Sequence, residues 1–160
     1  MTSPWPVPED HLPEDPDAFP PKPRGARADP RVLAAIALGG MAGATARYEL
    51  AVSLPTQAGG FLWATFWTNL SGSFVLGLLV VVLVERFPSN RYARPFLATG
   101  VLGAYTTFST FSVETDLLLK DGHIGVAVGY VAASLVLGVM AAWLGIRVGM
   151  RVGGRRQVQA

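Results

Sequence analysis

Between Gly103 and Glu114 the chain reads Gly-Ala-Tyr-Thr-Thr-Phe-Ser-Thr-Phe-Ser-Val-Glu, which sets hydroxyls and phenyl rings inside an apolar stretch with no formal charge before Glu114. A bilayer core tolerates polar side chains and broken backbone only where they face protein or a water-filled path. A pore is therefore the first chemistry this run suggests. Thr65, Asn69 and Ser73 recur at every fourth position, one line on a helix. The Asn69 amide carries two donors that can meet an anion without a full charge to trap it; the same amide can instead tie two helices together.

Thr106 and Thr110 are spaced to share one helix face, and Phe108 and Phe111 another. A phenyl ring has a positive edge, so two edges along a narrow path can solvate a small anion; such rings also serve as core or lipid contacts. Gly100, Gly103 and the Thr106-Thr107 pair would let the helix unwind and offer carbonyls to a monovalent cation. A kink relieved by threonine hydroxyls bonding to the preceding turn is the alternative. Tyr130 and Ser134, four apart, add a hydroxyl stripe, and the Glu114 carboxylate suits a watery vestibule. Arg47 is either a snorkelling residue near the outer interface or a buried counter-charge. Glu49 lies two residues on, where helix geometry points it away from Arg47.

The elements that must position these groups are membrane helices. Of 160 residues 51% are hydrophobic and 15% charged, against about 25% charged in an average soluble domain. No charge falls between Ala51 and Val84 or between Ile124 and Ile146, and a helix of ~20 apolar residues spans the hydrocarbon. Four hydrophobic segments are expected near Arg31–Leu54, Gly60–Val84, Arg94–Leu119 and Ile124–Met150, separated by Pro55, by Phe87-Pro88-Ser89-Asn90 and by Lys120-Asp121-Gly122. Short connections make neighbours antiparallel. Gly39 and Gly43 form a small-xxx-small pattern that lets backbones approach. Residues 1–30 hold nine of the twelve prolines together with Glu9, Asp10, Glu14, Asp15 and Asp17, a composition that reads as a disordered cytoplasmic tail rather than a signal peptide. Residues 31–150 form the membrane domain and 151–160 a basic C-terminal tail.

The charge count sets orientation. Eleven Lys and Arg fall in the N-terminal tail, the second loop and the C-terminal end, and a single one, Lys120, in the other two loops. With four crossings the positive-inside rule places both termini in the cytoplasm. This bias explains the net charge of +2 without a nucleic-acid partner. The chain has no cysteine, which excludes disulfides, thiol nucleophiles and thiolate metal sites. Its two histidines, His11 and His123, stand apart from any carboxylate pair. These residues do not suggest an enzyme.

Three blocks, Gly39-Gly-Met-Ala-Gly-Ala-Thr-Ala-Arg-Tyr48, Thr68-Asn-Leu-Ser-Gly-Ser-Phe-Val-Leu-Gly77 and Gly100 through Glu114, resemble the signature blocks of the CrcB/Fluc fluoride channels, in the same order over about Arg31–Met150. The resemblance implies an all-α membrane protein of four transmembrane helices, the third broken at mid-membrane. Two such subunits would form an antiparallel dimer with two fluoride pores and a central structural sodium ion. Carried over by motif position, Asn69, Phe108 and Phe111 would be pore residues, Ser109 and Thr110 would join a hydroxyl track with Ser134, and Tyr130 and Glu114 would line the pore or its mouth. Thr65 belongs to the same pore set through its line with Asn69. Gly103 and Thr106 would offer carbonyls to sodium. Gly138 stands where some relatives carry a further hydroxyl.

The expected function is passive fluoride efflux across the cell membrane, by donors that replace water along the path. The competing reading is a small proton-coupled multidrug-type exporter, which needs a titratable carboxylate deep in a membrane segment; a non-transporting assembly subunit is a third. An eleven-to-one charge split favours one insertion direction, so the partner is either a second copy or an oppositely oriented homologue. Asn69→Asp is expected to abolish flux while leaving the fold intact.

Overall fold

The computed structural model describes residues 29–86 and 91–153, and all regular structure among them is helical. Helix α1 spans Pro30–Ser53 and α2 Trp63–Arg86; a π-helical segment Pro95–Leu102 leads into the single turn α3, Gly103–Tyr105, followed by α4, Phe108–Lys120, and α5, Ile124–Gly153. The readings of the N-terminal tail through residue 28, of the Phe87–Asn90 turn and of the chain beyond 153 lie outside the described residues.

Local chemistry explains the boundaries. The Asp29 carboxylate accepts from the Arg31 N–H at 2.9 Å and Pro30 occupies the first turn, where a missing N–H costs nothing. The helix thus starts inside the stretch assigned to the tail. At the other end Leu54 N–H reaches Leu50 O at 3.1 Å before Pro55 stops the run. Helix α4 closes with Gly122 at φ +79, while His123 N–H bonds back to Leu118 O at 2.9 Å.

Trp63–Leu83 and Ile124–Val152 are long and apolar enough to cross a membrane, with mean hydropathy 1.9 and 2.2. Only 28% and 11% of those stretches are buried within the subunit. An apolar helix that leaves most of its surface outward fits lipid or another protein, not the interior of a water-soluble domain.

The helices pack chiefly as two pairs, α2 with α5 and α1 with the π-helical segment. Both pairs rest on glycine. A side chain at Gly145 would run into the Phe74 carbonyl and one at Gly77 into that of Ala142; Gly39 and Gly43 lie against the carbonyls of Phe96 and Val101. In lipid, where burial of apolar surface drives little, such backbone approach supplies the packing. The small-xxx-small pattern thus packs on the third hydrophobic segment.

That third segment is assembled from pieces. It passes from π to α geometry at Gly103, becomes extended at Thr106 (φ −75, ψ 154) and Thr107 (φ −147, ψ 124), and resumes as α4. Thr106 and Thr110 therefore do not share a helix face as their spacing predicts, because the helical path between them is interrupted.

Candidate functional site

The site begins with the backbone that the extended pair leaves without helical partners. Asn69 on α2 answers it twice: its Nδ2 donates to Thr107 O at 2.9 Å, and its Oδ1 accepts from Thr107 N–H at 2.9 Å. One donor remains on the amide, not the two expected from sequence, because a broken backbone takes the first. Thr107 in turn caps α4: its Oγ1 accepts from Thr110 N–H at 3.2 Å and donates to Thr110 Oγ1 at 2.9 Å. Ser109 Oγ lies 3.4 Å from the same hydroxyl. A continuous helix would send Thr107 N–H to Gly103 O and Thr110 N–H to Thr106 O; both donors go elsewhere. The Thr106 hydroxyl bonds back to Leu102 O at 2.9 Å, so the threonine-relieved kink of the sequence alternatives is also present.

Thr107 separates two cavities. The first, about 400 Å³, is walled by Asn69, Ser73, Gly103, Thr106, Phe108, Phe111 and Ser134 together with apolar neighbours, and no charged side chain among the described residues lines it. Phe108 and Phe111 lie 6.1 Å apart, and Phe108 is 80% exposed in the single subunit. Ser134 stands out. Helix hydroxyls here usually bond to the carbonyl four residues back, as Thr45, Thr68, Ser112 and Thr115 do. Ser134 Oγ is buried and has no hydrogen-bond partner among the described residues, so a residue that lines this cavity keeps its donor unspent.

The second cavity, about 410 Å³, is polar and charged; Arg47, Thr65, Thr68, Thr107, Thr110 and Glu114 face it. The Glu114 carboxylate accepts from Thr65 Oγ1 at 2.9 Å and from the Tyr130 hydroxyl at 3.1 Å, which ties α4 to both α2 and α5. Tyr130 is 0% exposed, and its ring centroid lies 5.1 Å from that of Phe111. Arg47 shares the cavity with Glu114; among the described residues, ion pairs join Arg91 to Asp29 and Lys120 to Asp116, each at 2.7 Å. At the exposed end of α4 the side-chain hydrogen bond to Asp116, then the attraction of its charge, push the Lys120 ammonium further above its ordinary range.

The residues expected from sequence thus divide. Asn69, Gly103, Thr106, Phe108, Phe111 and Ser134 gather on the first cavity, Thr65, Thr110 and Glu114 on the second, with Tyr130 buried behind Glu114 and Ser109 beside Thr107. Sequence reasoning missed the central part of Thr107, treating it only as a helix breaker. The available signal was a threonine followed three residues later by another at the start of a helical run, an N-cap pattern. It also left out Phe61, which no pattern in its own segment marks.

With this geometry in view, the relatives define the class. Residues 34–146 match the family described as CrcB-like protein, Camphor Resistance (CrcB). The chain belongs to this family, and it is a membrane protein. It is similar to Fluoride-specific ion channel FluC 3 of Streptomyces avermitilis, 50% identical over 78% of this chain and 61% of the relative. FluC 2 of the same organism is 50% identical over 65% of this chain and 66% of the relative, so the chain spans a little under two thirds of these two proteins. Fluoride-specific ion channel FluC 1 of Streptomyces coelicolor is 44% identical over 80% of this chain and 83% of its own length.

Proposed function

We propose that this protein conducts fluoride passively across the cell membrane and lowers its concentration in the cytoplasm. The observation that carries the reading is the first cavity: Asn69, which keeps one uncommitted amide N–H, Ser134, whose buried hydroxyl is unbonded, and the Phe108 and Phe111 rings line one space that no charged side chain among the described residues enters. Fluoride is small and holds water strongly, so a path must offer replacement donors that do not retain the ion. The FluC names of the similar proteins agree with this chemistry. No energy source is needed, because a negative interior drives the anion outward.

The hydrophobic segments form four crossings with the third interrupted at mid-membrane, and both termini are cytoplasmic, as the eleven-to-one bias in Lys and Arg supports. The protein works as an antiparallel dimer, the arrangement the family resemblance implies; the open wall supports a partner, since Phe108, Gly103 and Leu135 are exposed in the single subunit and a second subunit would close the cavity. The charge bias favours a homologue inserted the other way, and Streptomyces avermitilis holds two relatives, FluC 2 and FluC 3. The Gly103 and Thr106 carbonyls fit a structural sodium ion, since the N–H groups of Thr107 and Thr110 that a helix would give them are directed to Asn69 and Thr107 side chains. When bound, the ion would neutralise those carbonyl dipoles and hold the interrupted backbone open.

Purified protein in fluoride-loaded vesicles is expected to release fluoride faster than chloride, with no dependence on a proton gradient. Release that requires the gradient, or no release with any homologous partner, defeats the reading.

A further inference from the structure

Phe61 lies in the connection between α1 and α2, outside the three blocks that resemble the family, yet it meets the site from behind. Its ring stands edge-on to Tyr130, centroids 5.3 Å apart and planes at 88°. It is itself held by Trp63 at 4.5 Å and Phe66 at 5.3 Å. The connection also meets the start of α5 at Gly59, whose φ of +70 favours glycine and which lies against the exposed His123 ring. Tyr130 has two tasks toward the cavities: its hydroxyl donates to Glu114 and its ring packs on Phe111. An unbroken series of ring contacts therefore runs from Trp63 through Phe61 and Tyr130 to Phe111 and Phe108.

We propose that Phe61 is a positioning residue for fluoride conduction, its ring fixing Tyr130 so that the Tyr130 hydroxyl stays on Glu114 and the Phe111 ring keeps its angle to the first cavity. The inference rests on the channel reading above. Edge-to-face pairs are directional, because the positive edge of one ring seeks the negative face of the other; an aliphatic side chain of similar volume fills the space without setting the angle. Tyr130 is fully buried, so it has no solvent to reorient its hydroxyl once Phe61 releases it.

The test is fluoride efflux from vesicles, measured per monodisperse protein, for Phe61→Leu and Phe61→Tyr, each alone and with Tyr130→Phe. Phe61→Tyr keeps the ring and should conduct as the wild type does. Phe61→Leu should lose roughly two- to tenfold in rate, the range one aromatic pair represents. On the Tyr130→Phe background the part of the loss carried by the hydroxyl should vanish and only the part carried by the ring contact with Phe111 remain, so the same change should cost less than in the wild type. Should Phe61→Leu fail to give monodisperse protein, Phe61→Met is measured in its place and judged by the same criteria. Wild-type rates in the aliphatic variant overturn the inference, as does an equal loss with and without the Tyr130 hydroxyl. A wild-type protein that carries no fluoride would instead defeat the channel reading itself.

Discussion

Helix α5 and the third hydrophobic segment are built from similar apolar material and behave differently. Helix α5 runs unbroken over Ile124–Gly153, while Pro95–Lys120 is divided into π-helical, extended and α-helical pieces. Five glycines occur in α5 between Gly125 and Gly149 without interrupting it. Glycine alone therefore does not break a helix in this protein. The break falls where side chains stand ready to take the freed backbone groups: Asn69 for both sides of Thr107, and the Thr107 hydroxyl for Thr110 N–H. In a setting without water, backbone leaves a helix only where such partners exist.

The largest effect should come from removing that partner. Asn69→Asp keeps an acceptor for Thr107 N–H but turns a carboxylate toward Thr107 O, so flux should be lost. Contrary to the reading from sequence, the fold should also suffer, by about 1–3 kcal/mol for the stranded carbonyl. Fluoride efflux together with thermal unfolding in detergent checks both; an Asn69→Asp protein of unchanged stability would mean that the interruption does not depend on α2.

A middle effect separates the two pore rings. Phe111→Ile and Phe108→Ile should both slow fluoride, since volume is nearly kept while the positive ring edge is lost. Phe111 packs on Tyr130 of α5 as well as on Phe108, whereas Phe108 is mostly exposed in the single subunit, so the Phe111 replacement should lower subunit stability more than the Phe108 one, by roughly 0.5–1.5 kcal/mol. If Phe108→Ile destabilises the isolated subunit as much as Phe111→Ile does, the link from the broken segment to the continuous one is misassigned.

The smallest change is in α5 itself. A side chain at Gly125 meets nothing within 4 Å, and Gly125→Ala should stabilise by about 0.4–1 kcal/mol through the unfolded chain, with flux unchanged. A loss of stability in a melting experiment would show that this end of α5 is less free than the subunit suggests.

Much of the architecture was legible because charge and hydropathy are properties of composition. The uncharged run ending at Val84 and the one beginning at Ile124 locate α2 and α5 to within a few residues, and the glycine pattern at 39 and 43 foretold a close backbone contact though not with which helix. The site was less legible. Spacing put Thr65 and Asn69 on one line, yet they serve different cavities, because Thr107 and the start of α4 come between them. Spacing also paired Thr106 with Thr110 as if the helix were whole.

By itself the sequence determined the kind of solvent this chain needs, the stretches that meet it, the bias of positive charge and the set of polar groups available inside. Those follow from side-chain chemistry, which each residue carries wherever it sits. Only the tertiary structure decided which polar groups are spent. One Asn69 donor goes to Thr107, both Glu114 oxygens are met by Thr65 and Tyr130, and among the described residues Ser134 alone keeps a buried hydroxyl without a partner. Hydrogen bonds are pairwise and short-ranged, so their assignment depends on residues far apart in the chain that folding brings within 3 Å or so of each other.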